Sequence, residues 1–126
     1  LRRCGRLLDK LKEILEAMDS NLYYGQVAKA PEKWNYTTFN RSTISKAGKS
    51  KMDFCEYYEV HIVRENYVPE GYVYELIKRV LAGTRLRLAD KDIEFEYFLK
   101  GNTDLSVEVA TITFSLPAKG CEVYGE

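Results

Sequence analysis

The sequence predicts an α/β sandwich of the α+β type, in which two amphipathic helices pack on one mostly antiparallel sheet of about five strands. Three observations predict it. Two segments carry apolar residues at helical spacing on one side only, several others alternate apolar and polar residues, and the last two strands are joined by a hairpin signal with no crossover.

Leu7, Leu8, Leu11, Ile14, Leu15 and Met18 recur on one helical face with Asp9, Lys10, Lys12, Glu13 and Glu16 opposite, predicting a first helix over roughly residues 5–18. Asp19-Ser20-Asn21 stops it, and Leu22 to Val27 reads as a short strand. Ala30-Pro31-Glu32 makes a break before a second strand from Trp34 to Phe39. From Asn40 to Asp53 the chain turns polar, with Ser42, Ser45, Gly48 and Ser50 among Arg41, Lys46, Lys49 and Lys51, and no packed element is implied. A stretch of about a dozen such residues is long for a domain of this size and is expected to be a mobile basic loop.

The strongest strand runs from Phe54 to Arg64, with Phe54, Tyr58, Val60 and Ile62 on one face and Cys55, Tyr57, Glu59, His61 and Val63 on the other. Val68-Pro69-Glu70 opens a second helix whose stripe is Tyr72, Val73, Leu76, Ile77, Val80 and Leu81, with Gly83 as its stop. Asp92 to Leu99 sets Ile93, Phe95, Tyr97 and Leu99 against Asp92, Glu94, Glu96 and Phe98. Lys100-Gly101-Asn102-Thr103-Asp104 then turns the chain into a last strand from Leu105 to Leu116, ended by Pro117.

The 126 residues suit a single domain with its core over about residues 7–116, and residues 1–5 and 118–126 read as terminal tails. Nineteen basic and nineteen acidic side chains cancel, so the overall field gives no reason to expect nucleic-acid or membrane binding. Cys4, Cys55 and Cys121 are odd in number and widely spaced, and His61 is the only histidine, which argues against a zinc site or a disulfide framework. Free thiols, with no apolar run near the ~20 residues of a membrane span, suggest a cytoplasmic setting. Asn35-Tyr36-Thr37 and Asn40-Arg41-Ser42 fit the N-glycosylation pattern, which carries no weight where no secretory signal is expected.

Sites of chemistry are few. Gly48-Lys49-Ser50 has the end of a phosphate-binding loop, yet Thr43 stands where the earlier glycine belongs and no helix is expected to follow. Cys55 and His61 share a strand face but lie about 20 Å apart at strand rise, too far for a nucleophile and its base. Glu94 and Glu96 are spaced like a carboxylate pair, and equally like a solvated sheet face. No cofactor, metal site or catalytic residue is expected. The local feature that stands out is charge: Lys33, Arg41, Lys46, Lys49 and Lys51 come without an acid, whereas residues 90–108 hold six acids against Lys91 and Lys100. Opposite charge on separate segments suits head-to-tail contact between copies, and equally a solvated loop that happens to be basic.

Residues 33–41 (Lys-Trp-Asn-Tyr-Thr-Thr-Phe-Asn-Arg), 48–51 with Asp53, and 57–65 (Tyr-Tyr-Glu-Val-His-Ile-Val-Arg-Glu) carry a family resemblance. Residues 67–71, 86–89 and 100–104 extend it over nearly the whole chain, from about Leu7 to Gly120. The chain resembles the tail-terminator, or head–tail joining, proteins of long-tailed phages and prophages of Gram-positive bacteria. What the resemblance implies is a non-enzymatic virion protein at the tail end that faces the head, made in the host cytoplasm. Such a protein forms a ring, a hexamer on the tail, that caps the tube, stops its polymerisation and offers the head its attachment surface. The implied partners are other copies, the major tail tube protein and head-completion proteins, with Arg41, Lys46, Lys49 and Lys51 as contact residues. A neighbouring head-completion or tail-completion protein, or a nucleic-acid-binding module, are the alternatives.

Overall fold

The computed structural model describes residues 3–27, 32–49, 51 and 53–118. The elements in chain order are α1 (Arg3–Met18), β1 (Leu22–Tyr24), β2 (Tyr36–Lys46), β3 (Phe54–Glu65), α2 (Tyr72–Gly83), β4 (Arg87–Leu88), β5 (Glu94–Leu99) and β6 (Ser106–Ala118). They form one six-stranded sheet in the order β1, β2, β3, β6, with β4 and β5 both along the outer side of β6. Only β1–β2 is parallel; every other pair is antiparallel. The α+β sandwich is therefore present, with a sixth strand supplied by the two-residue β4.

Both helices cover the same face. Leu7, Leu11 and Leu15 of α1 and Val73, Leu76 and Val80 of α2 are buried against the row Phe39, Val60, Ile112 and its neighbours Tyr58, Ile62, Ala110, Phe114 and Leu116. Removal of this apolar surface from water drives the fold, at roughly 25 cal/mol per Å². The helices meet where Ile14 of α1 passes over Gly83; a Cβ on Gly83 would stand 2.7 Å from Ile14 Cδ1, so glycine permits the approach. Leu81, expected in the buried stripe, is 41% exposed. Val68 to Glu70 precede α2, whose first turn begins at Tyr72.

One polar centre ties the layers together. Asp19, just past α1, accepts from the Thr37 hydroxyl at 2.8 Å and from Arg64 of β3 at 3.0 Å. Arg64 also donates to the Tyr36 and Val63 carbonyls and lies 5.0 Å from the centre of the Tyr72 ring. A second centre holds the end of β5. Lys100 donates to Glu65 at 2.7 Å and lies 6.0 Å from the centre of the Trp34 ring, while Glu65 also accepts from the Trp34 amide. Lys100 holds the Glu65 carboxyl below its ordinary pKa, with the Trp34 amide adding to the effect.

Several boundaries differ from the sequence reading: β1 ends at Tyr24 rather than Val27, and β5 begins at Glu94 rather than Asp92. Residues 40–46, expected within a mobile basic loop, are strand: β2 runs to Lys46 and pairs with β3 out to Phe54, with a register shift between Arg41 and Thr43. β-branched Thr43 and Ile44 favour extended backbone, and residues 41–46 are exposed throughout, so no apolar alternation marks this half of the strand. α1 begins at Arg3 rather than near residue 5. Pro117 lies inside β6 opposite Cys55, beyond the stretch where β4 pairs, which is the edge setting that tolerates a proline. The break at Ala30-Pro31, Cys121 and the expected tail after Ala118 lie outside the described residues.

Candidate functional site

The four basic residues singled out in the sequence lie along one β-ribbon. Arg41 is on β2 where β1 ends, and its Nε donates to the Tyr24 hydroxyl at 3.3 Å, which raises the guanidinium pKa further above its already high value. Lys46 closes β2, with Nζ donating to the Ala47 and Gly48 carbonyls. Lys49 and Lys51 stand in the turn. All four are exposed. The strand rise spreads them over roughly 20 Å, so they make a charged edge and not a compact anion pocket. Because residues 40–46 are already hydrogen-bonded to β3, binding a partner does not have to order them.

The turn itself disposes of the phosphate-loop reading. Gly48 adopts φ of 74°, and a Cβ there would meet Asp53 Oδ2 at 2.8 Å. The Ala47 amide donates to the Asp53 carbonyl, closing a connection from strand to strand with no helix after it. The glycine serves the backbone turn.

The β5 part of the acidic segment, with Glu94 and Glu96, lies on the far side of the sheet. Glu94 and Glu96 of β5 point away from the helices, and Phe95, Tyr97 and Leu99 point to the helix side, as the alternation predicts. What the alternation does not convey is exposure: every residue of β5 is exposed on both faces, with Tyr97 at 63% and Leu99 at 64%. Tyr97 is tethered, its hydroxyl bonded to the Glu108 carboxylate, which holds the tyrosine pKa up. Glu108 is buried and also accepts from the Val68 amide at 2.6 Å. Beside β5 lies a groove of about 540 Å³ floored by Val68 and Val73 and flanked by exposed Tyr67, Tyr74 and Phe95. This uncovered aromatic edge was missed by the sequence reading. Its one signal was Phe98, an aromatic on the face assigned to the acids.

The sheet face without helices carries the remaining candidates. His61 Nδ1 lies 3.0 Å from Thr111 Oγ1, its cross-strand neighbour, and Nε2 lies 3.3 Å from Glu59 Oε1. Carboxylate, imidazole and hydroxyl thus stand in the order of a hydrolytic triad. All three, however, sit mid-strand on paired strands, where the backbone amides are engaged in the ladder and none is left to stabilise an oxyanion. The arrangement is that of a cross-strand polar row. Cys55, at the other end of β3, is hydrogen-bonded with Tyr57, whose pKa it raises. The basic ribbon, the acidic strand β5 and the polar row occupy three separate places, although Asp90 and Lys91, ahead of β5, line one pocket with Ser42 and Thr43 of the ribbon.

No family model matches the chain, and no curated protein does. Among 26 solved chains that match, one whose name states no function superposes with a TM-score of 0.44 and 12% identity, over 88% of this chain and 94% of that one. A likeness at that level carries no argument about what this chain does.

Proposed function

We propose that this chain is a non-enzymatic tail-terminator subunit of a long-tailed phage or prophage, assembling as a ring, a hexamer, on the last ring of the tail tube. The observation that carries the reading beyond the sequence resemblance is the placement of opposite charge. The basic ribbon of β2 and the acidic strand β5 lie at opposite sides of one sheet, with β3 and β6 between them. A ring subunit needs two unlike, complementary surfaces facing away from each other, so that each copy offers the next what it has itself engaged. A third surface binds the tube and blocks further addition, which is a steric act and requires no chemistry.

Electron microscopy of the protein incubated with tail tubes of its phage tests this. A ring at one tube end is expected. A ring elsewhere on the particle, or none, would overturn the proposal in favour of a neighbouring neck protein. Replacing Arg41, Lys46, Lys49 and Lys51 together by Ala is expected to abolish ring or tail assembly. Stability should change by no more than about 0.5 kcal/mol per site, because all four side chains are exposed. Normal assembly by the folded quadruple variant would remove these residues from the contact.

A further inference from the structure

Among the described residues, no strand pairs with the outer edge of β5. The Lys100 amide donates to the Leu105 carbonyl, across the β5–β6 hairpin. Because main-chain groups alternate in direction along an antiparallel strand, those of Glu94, Glu96 and Phe98 turn toward β6 and those of Phe95, Tyr97 and Leu99 turn outward. On β2, the bond from the Ala47 amide to the Asp53 carbonyl sets the same alternation and turns the main chain of Ile44 outward, past the point where β1 covers β2. Each chain therefore offers two strand edges on opposite sides of its sheet.

Three features match these edges to each other. First, direction: β2 and β6 run one way and β3 and β5 the other, so β5 of one copy meets β2 of a like-oriented second copy antiparallel. Second, faces: Phe95, Tyr97 and Leu99 are on the helix side of β5, and Arg41, Ile44 and Lys46 are on the helix side of β2. Joining the sheets sets aromatic rings against a 64%-exposed isoleucine and two cations, a favourable apolar and cation–π combination. Third, charge: β5 carries Glu94 and Glu96 and no base, whereas residues 41–51 carry four bases and no acid.

We propose that copies of this chain associate head to tail by strand addition, the outer edge of Phe95–Leu99 in one copy lying antiparallel against Ser42–Lys46 of β2 in the next. This contact deepens the ring reading of the preceding subsection and rests on it for its biological setting. β5 lies level with the residue 36–38 half of β2, whereas the accepting stretch is the other half. Successive copies therefore step along the strand direction, and a closed ring has its strands tilted to the ring axis.

The test uses the full chain. Sedimentation and amide hydrogen exchange are followed over a concentration series, for the wild type and for Tyr97→Pro and Tyr97→Ala. Both variants lose the side chain and its bond to Glu108, but only proline removes the outward amide, at an edge position where it breaks no β5–β6 bond. Expected are association that grows with concentration, protection at both Phe95–Leu99 and Ile44, and about ten-fold or more weaker association for the proline than for the alanine variant. A monomer at every concentration would overturn the proposal, as would equal association by the two variants. Protection of β5 without β2 would mean that two β5 edges pair, and concentration-independent protection of β5 would mean that the chain covers its own edge; either result overturns it too. Rings formed on tail tubes by Tyr97→Pro would reject the contact and leave the tail reading standing. Edge association in a chain that never caps a tube would do the reverse.

Discussion

Arg64→Ala should be among the most damaging polar substitutions in this fold. The Arg64 and Asp19 side chains are only 14% and 11% exposed, so water replaces little of what the guanidinium supplies. The substitution removes the 3.0 Å bond to Asp19, the bonds to the Tyr36 and Val63 carbonyls and the contact with the Tyr72 ring. Asp19 keeps the Thr37 hydroxyl and the Asn21 amide but loses its cation. A hydrogen bond to a charged group contributes about 1.5–3 kcal/mol, and a partly shielded cation–π contact about 0.5–1. Breaking a fully buried pair costs about 3–5 kcal/mol, which sets the ceiling. The expected loss is about 3 kcal/mol, or roughly 10 °C in Tm for a domain of this length. Urea denaturation of the wild type, Arg64→Ala, Asp19→Asn and the double variant measures it, and the cycle should return a coupling of about 1–2 kcal/mol. A loss below about 1 kcal/mol, or no coupling, would refute the idea that this pair joins α1, the sheet and α2.

Two further outcomes follow from single sites. Gly48→Ala places a Cβ at positive φ and against the Asp53 carboxylate, and should destabilise by about 1–2 kcal/mol in chemical denaturation; an unchanged midpoint would mean that the turn relaxes freely. The Glu65 carboxyl is held below its ordinary pKa by Lys100 and the Trp34 amide, so its contribution to stability is complete above the unfolded carboxylate range and is lost as pH falls through the lowered folded value. Thermal melts from neutral pH down to about pH 3 should therefore show a shallower acid loss for Glu65→Gln than for the wild type, and parallel curves would count against this linkage.

The fold was legible wherever one face of an element is dry. Leu11 and Leu15, Leu76 and Val80, and Val60 and Ile62 have the spacing of a buried stripe because a partner lies on one side of them and water on the other. The second half of β2 was not legible, since Arg41 to Lys46 are wet on both faces and periodicity records only a difference between faces. Arg87-Leu88 is too short to have a period, and the parallel pairing of β1 depends on contacts with Thr37 to Phe39 that no local pattern encodes. At the candidate site, the identity and charge of Arg41, Lys46, Glu94 and Glu96 could be read directly. Their position on opposite sides of one sheet could not, because it follows from β3 and β6 lying between them.

The composition of β5 bears on which assemblies the two edges allow. A bare strand edge bearing Phe95, Tyr97 and Phe98 invites indiscriminate pairing, and natural sheets blunt such edges with charge. Two β5 edges paired antiparallel about Phe95 would put Glu94 of one copy opposite Glu96 of the other on one face, where like charges repel. Two β2 ribbons would do the same with Arg41 and Lys46. Each edge carries charge of one sign and so disfavours its own kind, whereas the unlike pair sets the cations of β2 against the aromatic face of β5, so the two-fold dimer is the assembly the charges oppose. Unlike-edge pairing always leaves one β5 and one β2 unfilled until a ring closes, and the aromatic edge is then covered in every subunit.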